Sequence, residues 1–176
     1  MKIGIIGSQG RMGQALVDAI AADGHIYAGG VDKDGDLAAL TAASDVLVDF
    51  SSPHAVEANL DVCVAAGKPI VIGESDPEGC AACGMATNPE NAYRNGTMYS
   101  SYTAASFARL YELTDKYKIN LLGAVTWSFE FENQPWFAGF RDLATNGVDK
   151  PVLNVFRMFG MMKGNRVEAK SNRMYP

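Results

Sequence analysis

A glycine-rich turn directly after an apolar run is the feature that most constrains what this chain can fold into. The apolar run Ile3–Ile6 is followed at once by Gly7–Gly13, which reads Gly-Ser-Gln-Gly-Arg-Met-Gly. A β-strand that breaks into glycines and then opens a helix lets the backbone approach a phosphate group. The first turn of the helix adds unpaired N–H groups and the positive end of its dipole. The spacing therefore predicts a phosphate-binding turn at residues 7–13.

The rest of the chain alternates short apolar runs with segments of helical spacing. Strands are predicted over residues 2–6, 25–31, 45–50, 68–73 and 120–129, and helices over 11–22, 37–43, 53–66, 102–117 and 151–162. This alternation predicts an α/β fold of the Rossmann or flavodoxin type: an open parallel sheet of five strands, order 2-1-3-4-5, with helices on both faces. Residues 76–96 are predicted to form a long loop, and 134–149 an irregular, aromatic segment. Core packing is predicted for most of four aromatic residues, with greater exposure as the alternative: Trp127, Phe129, Trp136 and Phe137.

An acidic residue lies about 20 positions beyond the glycine turn, where a dinucleotide-binding fold needs one. Asp32 ends the second predicted strand and is suited to accept hydrogen bonds from an adenosine ribose. The adjacent Lys33 is suited to pair with a 2′-phosphate, so the two residues leave NAD and NADP both open. The alternative interpretation is a tight turn beside an ordinary surface aspartate.

Composition limits the classes of binding partner and the cellular compartment that are expected. A net charge of −5 argues against a nucleic-acid or membrane partner, because such partners usually require a basic face. No apolar run approaches the roughly 20 residues of a membrane span, and Met1 leads straight into the first predicted strand, so a cytoplasmic protein is expected. The cysteines are Cys63, Cys80 and Cys83, and an odd count indicates a reducing compartment. No metal site is predicted, because no second pair of ligands accompanies the Cys-x-x-Cys spacing of Cys80 and Cys83. No redox site is predicted there either, because a redox Cys-x-x-Cys normally opens a helix after a strand and this one lies in a glycine-rich loop. The oligomeric state stays open.

Four stretches of the first half resemble one enzyme family. They are residues 7–13, Val31-Asp32, 48–53 (Val-Asp-Phe-Ser-Ser-Pro) and 67–73 (Gly-Lys-Pro-Ile-Val-Ile-Gly). In this order, over residues 1–73, they are similar to the amino-terminal domain of 4-hydroxy-tetrahydrodipicolinate reductase, the NAD(P)H-dependent dihydrodipicolinate reductase of lysine biosynthesis. The resemblance implies a cofactor, NADPH or NADH, lined by Gly7, Ser8, Gln9, Gly10, Arg11, Met12, Asp32, Lys33 and Gly73.

The resemblance to the reductase ends at Gly73. The family continues there with Thr-Thr-Gly and later supplies a His-His pair and a lysine for catalysis and substrate binding. This chain reads Glu-Ser-Asp over residues 74–76, and its two histidines, His25 and His54, are not adjacent. The reductase's substrate domain is therefore expected to be absent.

A second resemblance begins where the first one ends. Residues 73–83, 93–104, 127–132 and 151–157 are similar, in order, to the end of the barrel of a glycoside hydrolase family 39 β-xylosidase, over roughly residues 70–165. In that family a glutamate that ends barrel strand 7 is the nucleophile, and Glu74 stands at this position. A retaining glycosidase needs a second carboxyl group about 5–5.5 Å away. The family's acid/base glutamate belongs to an earlier strand that is missing here, which leaves Glu130 and Glu132 as candidate partners.

Together these features predict one α/β domain over residues 1–176, with a reductase-like nucleotide-binding half (1–73) and a glycosidase-barrel-like half (74–176). The predicted function is a chimeric scaffold, natural or engineered, that binds a dinucleotide and has no complete active site. Two alternatives stay open: an NAD(P)H-dependent 4-hydroxy-tetrahydrodipicolinate reductase, and a β-xylosidase-type hydrolase with Glu74 as nucleophile.

Overall fold

A computed structural model describes residues 1–73, 80, 82–126 and 133–167. Within these ranges a short 3-10 helix (Pro89–Asn95) precedes the fourth α-helix. The other elements, in chain order, are β1 (Lys2–Ile6), α1 (Arg11–Ala22), β2 (Ile26–Val31), α2 (Leu37–Ala43), β3 (Val46–Asp49), α3 (Val56–Ala65), β4 (Ile70–Ile72), α4 (Thr97–Tyr117), β5 (Leu121–Ala124), β6 (Ala144–Thr145), β7 (Val148–Asp149) and α5 (Pro151–Met161).

Strands β1 to β5 form one sheet in the order β2-β1-β3-β4-β5, and every neighbouring pair is parallel. The predicted fold class and strand order are thereby confirmed. Strand β5 pairs with β4 through Ile70–Leu121 and Ile72–Ala124. The segment that follows residue 73 therefore completes the sheet begun by the first half.

The core occupies both faces of this sheet, because side chains alternate along each strand. One face buries Ile3, Ile5, Val46 and, from α1, Ile20. The other face buries Ile6, Leu47, Ile70 and, from α2 and α3, Leu40 and Cys63. Since α1 covers one face while α2 and α3 cover the other, the prediction of helices on both faces is also confirmed.

Helices α4 and α5 are held together by an aromatic cluster. The ring of Phe107 makes edge contacts with Phe156 and Phe159, with centroids 5.5 and 5.1 Å apart. Helix α4 begins at Thr97, five residues before the predicted start, because Gly96 ends the preceding 3-10 helix and caps α4. The predicted long loop over 76–96 thus contains a helical turn over its last residues.

The segment predicted to be irregular contains a small antiparallel hairpin, β6–β7. Its two-residue turn is Asn146-Gly147, and both residues have positive φ angles, 45° and 80°. Asn-Gly favours this turn because both residues tolerate the left-handed region. Trp136 is 59% exposed and Phe137 39%, so these two aromatics follow the alternative of exposure and not the expected core packing. Trp127 and Phe129 lie outside the described residues.

The expectation of reduced cysteines was also wrong for one pair, because Cys80 and Cys83 form a disulfide. An odd count excludes only complete pairing, and the remaining cysteine, Cys63, is buried in α3. Burial, with a smaller contribution from the Asp49 carboxylate, raises the pKa of the Cys63 thiol to about 11. This thiol is therefore protonated and unreactive in the folded protein.

Two features are missing from the described part of the chain. None of its helices has both the length and the apolar content needed to cross a membrane. No group of three or more His, Cys, Asp or Glu side chains is arranged there to hold a metal ion.

Candidate functional site

The glycine turn is held between the ends of β1, β2 and β3. Gly7 has a φ angle of +84°, and its N–H donates to the Val31 carbonyl oxygen at 2.8 Å. A Cβ atom on Gly7 would lie 2.6 Å from the Phe50 carbonyl oxygen. Both the backbone angle and the close approach therefore require glycine at this position.

The other two glycines of the turn differ in the space around them. A Cβ on Gly13 would lie 2.4 Å from the Gly7 carbonyl oxygen, so α1 packs directly against the turn. A Cβ on Gly10 would meet only that same oxygen, at 3.3 Å, and Gly10 is exposed. The fold thus needs glycine at residues 7 and 13, whereas a side chain on the exposed Gly10 would make one tight backbone contact that a small shift relieves.

Helix α1 begins at this exposed turn without a side-chain cap. Its N-cap residue is Gly10, so no N-cap side chain accepts a hydrogen bond from the first N–H groups of the helix, and the first turn has no acidic residue. The first N–H groups of an α-helix have no partner within the helix, and they attract anions. Arg11 and Met12, both exposed, occupy this first turn.

Asp32 is bound to the glycine turn. Its Oδ2 accepts hydrogen bonds from Ser8 Oγ at 2.9 Å and from the Gln9 N–H at 3.0 Å. Gly30 makes this arrangement possible, since a Cβ there would lie 2.2 Å from the Ser8 Cβ. The end of β2 is thereby fixed against the turn, and Lys33, which is exposed, follows it.

Phe50 joins the turn to the end of β4. Its backbone lies against Gly7, and a Cβ on Gly73 would lie 2.3 Å from two atoms of its ring. The Gly73 N–H also donates to the Asp49 carbonyl oxygen at 2.7 Å. The structure therefore brings two predicted cofactor-lining residues, Gly7 and Gly73, together through Phe50, which the sequence places at the carboxyl end of a strand but not among the residues that line the cofactor. The signal was present in the Asp-Phe-Ser-Ser-Pro stretch.

A buried carboxylate fixes the turn that carries Phe50. Asp49 is 4% exposed, and its Oδ1 accepts from the Ser51 N–H at 2.8 Å and from Ser51 Oγ at 2.6 Å. Its Oδ2 accepts from Asn59 Nδ2, in α3, at 2.9 Å. This network ties the end of β3 to α3. Asn59 was missed because no local sequence pattern links it to Asp49.

We expect Asn59→Ala to destabilise the protein by about 1–3 kcal/mol, because it removes the donor to a buried carboxylate oxygen. Urea unfolding followed by circular dichroism measures this change. Glu57→Ala, an exposed position in the same helix, is the control and should change the free energy of unfolding by less than about 0.5 kcal/mol. Equal stability of both variants would contradict the role of the network.

The predicted glycosidase residues are not part of this geometry. Glu74, the predicted nucleophile, and its candidate partners Glu130 and Glu132 lie outside the described residues. Their relative positions, and with them the hydrolase alternative, stay predictions.

Comparison with known proteins bears on the first half of the chain. Residues 1–76 match the family described as "Dihydrodipicolinate reductase, N-terminus". This match confirms the first of the two predicted resemblances. It spans β1 to β4 and includes every predicted cofactor-lining residue.

Curated relatives are similar over the same stretch. The 4-hydroxy-tetrahydrodipicolinate reductase of Acidiphilium cryptum is 45% identical over 73 residues, which are 42% of this chain and 30% of that protein. The enzyme of the same name from Zymomonas mobilis is 39% identical over 80 residues, covering 42% of this chain and 32% of that one. This chain therefore spans about a third of the length of these relatives.

One solved structure aligns with a larger part of the chain at lower similarity. The capsular polysaccharide assembling protein CapF from Staphylococcus aureus has 17% sequence identity and a TM-score of 0.44, with 74% of this chain and 35% of that chain covered. These values are too low to carry an argument about function.

Proposed function

We propose that this protein binds a nicotinamide dinucleotide, NADPH or NADH, across the carboxyl ends of β1, β2 and β3. The observation that carries this proposal is the exposed N-terminus of α1, where Gly10 is the N-cap residue and no side chain caps the helix. A pyrophosphate placed there accepts hydrogen bonds from backbone N–H groups and gains from the helix dipole. The match of residues 1–76 to a reductase's amino-terminal segment supports the same choice of ligand.

The strand order sets the direction of the bound dinucleotide. In a 2-1-3-4-5 sheet, β2 lies on one side of β1 and β3 on the other, so the order in which strands are added reverses between β1 and β3. Ligands bind in the crevice at this point. The adenosine half then lies toward β2, beside Asp32 and Lys33. The bonds from the turn go to Asp32 Oδ2, so Oδ1 is the oxygen that accepts from a ribose hydroxyl. The nicotinamide half lies toward Phe50 and Gly73.

The charges of Asp32 and Lys33 act in opposite directions on the substituent at the 2′ position of the adenosine ribose. The Asp32 carboxylate favours the free 2′-hydroxyl of NADH, whereas the Lys33 ammonium attracts the 2′-phosphate of NADPH. Lys33 is exposed, and an exposed pair of this kind contributes about 0–1 kcal/mol. We therefore propose that the protein accepts both cofactors with affinities that differ by less than about tenfold.

We further propose that residues 1–176 fold as one α/β domain of two parts, 1–73 and 74–176, joined by the pairing of β4 with β5. The reductase activity of the relatives stays outside the proposal, because this chain spans about a third of their length. Its two histidines, His25 and His54, are exposed and belong to different loops. The chimeric origin of the second part, with a glycosidase-like segment over 70–165, belongs to the same proposal.

Titration of the purified protein with NADPH and NADH, by cofactor fluorescence and by calorimetry, tests the proposal. We expect saturable binding of both with a Kd below about 1 mM, equivalent to about −4.1 kcal/mol. ADP-ribose should compete, because the turn and Asp32 contact the adenosine diphosphate half. Absence of binding at millimolar cofactor would contradict the proposal.

The same protein should show no turnover with the substrates of either predicted parent family. Neither reduction of a dihydrodipicolinate precursor with NADPH nor hydrolysis of an unactivated xyloside is expected. A general acid contributes about 10²–10⁴ to the rate of such hydrolysis, so a nucleophile without one turns over poorly. Xylosidase activity that disappears in Glu74→Gln would overturn this expectation.

A further inference from the structure

The disulfide between Cys80 and Cys83 lies outside the proposed cofactor site. It joins residues three positions apart in the segment between β4 and α4, where Cys80 is exposed and Cys83 half-buried. We propose that this disulfide is a redox site, which exchanges with low-molecular-weight or protein thiols and exists in both oxidised and dithiol forms.

A purely structural role explains this disulfide poorly. A cross-link stabilises a protein mainly by restricting the unfolded chain, and its effect grows with the length of the loop that it closes. The Cys80–Cys83 disulfide closes a ring of only four residues. It also leaves the two halves of the chain unlinked to each other, because both cysteines belong to one short segment. Exposed disulfides of low structural value are the ones that thiols reduce.

A buried arginine is hydrogen-bonded to the backbone of both cysteines. Arg94 is 1% exposed, and its Nη1 donates to the Cys80 and Cys83 carbonyl oxygens, each at 3.1 Å. Asn91 Nδ2 also donates to the Cys83 carbonyl oxygen, at 2.6 Å. A guanidinium keeps its charge at every accessible pH, and a neighbouring positive charge stabilises a thiolate over a thiol. As part of the proposal, we assign to Arg94 the stabilisation of a thiolate in the turn whose carbonyl oxygens it binds.

The exposure of the two residues sets the direction of attack. A thiolate of the reductant attacks Sγ of Cys80, the Cys80–Cys83 bond breaks, and Cys83 departs with the electron pair as a thiolate near Arg94. A second thiol of the reductant, as its thiolate, attacks the reductant sulfur of this mixed disulfide and releases Cys80. Two electrons pass to the protein, the reductant becomes a disulfide, and its two thiol protons go to the cysteines or to solvent.

Equilibration in glutathione redox buffers tests the proposal on the intact chain. After each ratio of reduced to oxidised glutathione has equilibrated without oxygen, iodoacetamide blocks free thiols and intact mass counts them. We expect Cys80 and Cys83 to convert together, by two alkylations, within the range that millimolar glutathione covers. Cys63 is an internal control that stays unmodified while the protein is folded, because burial raises its pKa to about 11.

Two results would overturn the proposal. One is a pair that stays oxidised at the highest ratio of reduced glutathione, which would make it a structural cross-link. The other is alkylation of both cysteines in air-oxidised protein before any reductant is added, which would show that the disulfide does not form. Cys63→Ala, with unchanged conversion, confirms that the counted thiols belong to the pair.

The role of Arg94 is tested separately, by the pH dependence of alkylation in the single-thiol variant Cys80→Ser/Cys63→Ala. The Cys83 thiol should titrate at least about one unit below the ordinary pKa of 8.5. Arg94→Lys should keep the pKa of the Cys83 thiol low. Arg94→Gln should raise that pKa and slow glutathione exchange several-fold. An ordinary pKa for Cys83 in the protein that retains Arg94 would contradict the role assigned to Arg94. This measurement does not depend on whether Arg94→Gln folds.

Discussion

Replacing Gly10 with valine should abolish dinucleotide binding and leave the protein folded. Gly10 has φ −69° and ψ 162°, an extended conformation that valine readily adopts. Its Cβ would lie 3.3 Å from the Gly7 carbonyl oxygen, a tight contact that a shift of a few tenths of an ångström relieves. Because residue 10 is exposed, we expect the two methyl groups to take up space beside the first turn of α1. This is the space in which we place the pyrophosphate.

The expected loss is at least about 100-fold in Kd, because displacing the pyrophosphate removes two or more charge-assisted hydrogen bonds of about 1.5–3 kcal/mol each. Titration with NADPH measures the loss, and thermal unfolding checks that Tm changes by less than a few degrees. Gly160→Val is the matched control, because a Cβ on Gly160, in α5, meets no atom within 4 Å. Its binding should equal that of the wild type.

A third glycine separates a binding effect from a folding effect. In Gly13→Val the new Cβ would lie 2.4 Å from the Gly7 carbonyl oxygen, so this variant should lose stability as well as binding. Unchanged binding in Gly10→Val would show that the pyrophosphate does not lie beside residue 10. The proposed function would then need another site.

The sequence was sufficient to predict the sheet order and the glycine turn because both depend on local patterns. Alternation of apolar runs with helical segments leads to a parallel sheet, and glycines at 7, 10 and 13 mark one turn. The positions of Phe50 and Asn59 depend on contacts between separate elements. Asn59 reaches Asp49 only because α3 folds back over the end of β3, and a single sequence contains no signal for that contact.

For residues 134–149 the differences between prediction and structure have other physical causes. Only the turn residues Asn146-Gly147 indicate the hairpin, because its strands, β6 and β7, have two residues each and are too short to show an alternating pattern. Burial is the usual environment of large aromatic residues and was expected for most of this group, yet Trp136 is mostly exposed. Most of the buried residues over 134–150 are instead polar: Arg141, Asp142, Thr145 and Lys150, beside the small apolar Ala144.

Breaking the buried ion pair between Lys150 and Asp142 is expected to destabilise the protein more than Asn59→Ala does. Their side chains are 0% and 3% exposed, and Lys150 Nζ also donates to the Phe140 carbonyl oxygen at 3.0 Å. Lys150 is the N-cap residue of α5, and its N–H donates to the Leu143 carbonyl oxygen at 2.8 Å. The pair therefore fixes the segment that leads into α5.

Lys150→Met removes the ammonium that faces the Asp142 carboxylate and should cost about 3–5 kcal/mol. The double variant Lys150→Met/Asp142→Asn removes both charges and should recover a large part of that loss. Arg157→Met is the control, because the Arg157–Asp149 pair is about half exposed and contributes at most about 1 kcal/mol. Equal losses in Lys150→Met and Arg157→Met would contradict the argument from burial.

The same variant tests whether the two parts of the chain fold as one unit. Both tryptophans, Trp127 and Trp136, belong to the second part, so their fluorescence reports its unfolding, while alkylation of the buried Cys63 reports the first part. If β4 and β5 make one cooperative domain, both probes follow a single transition, and Lys150→Met shifts both by the same amount. If the protection of Cys63 against alkylation stays at the wild-type level while the transition seen by tryptophan fluorescence shifts, the two parts are independently folding units. In that case the proposed dinucleotide site would belong to residues 1–73 alone.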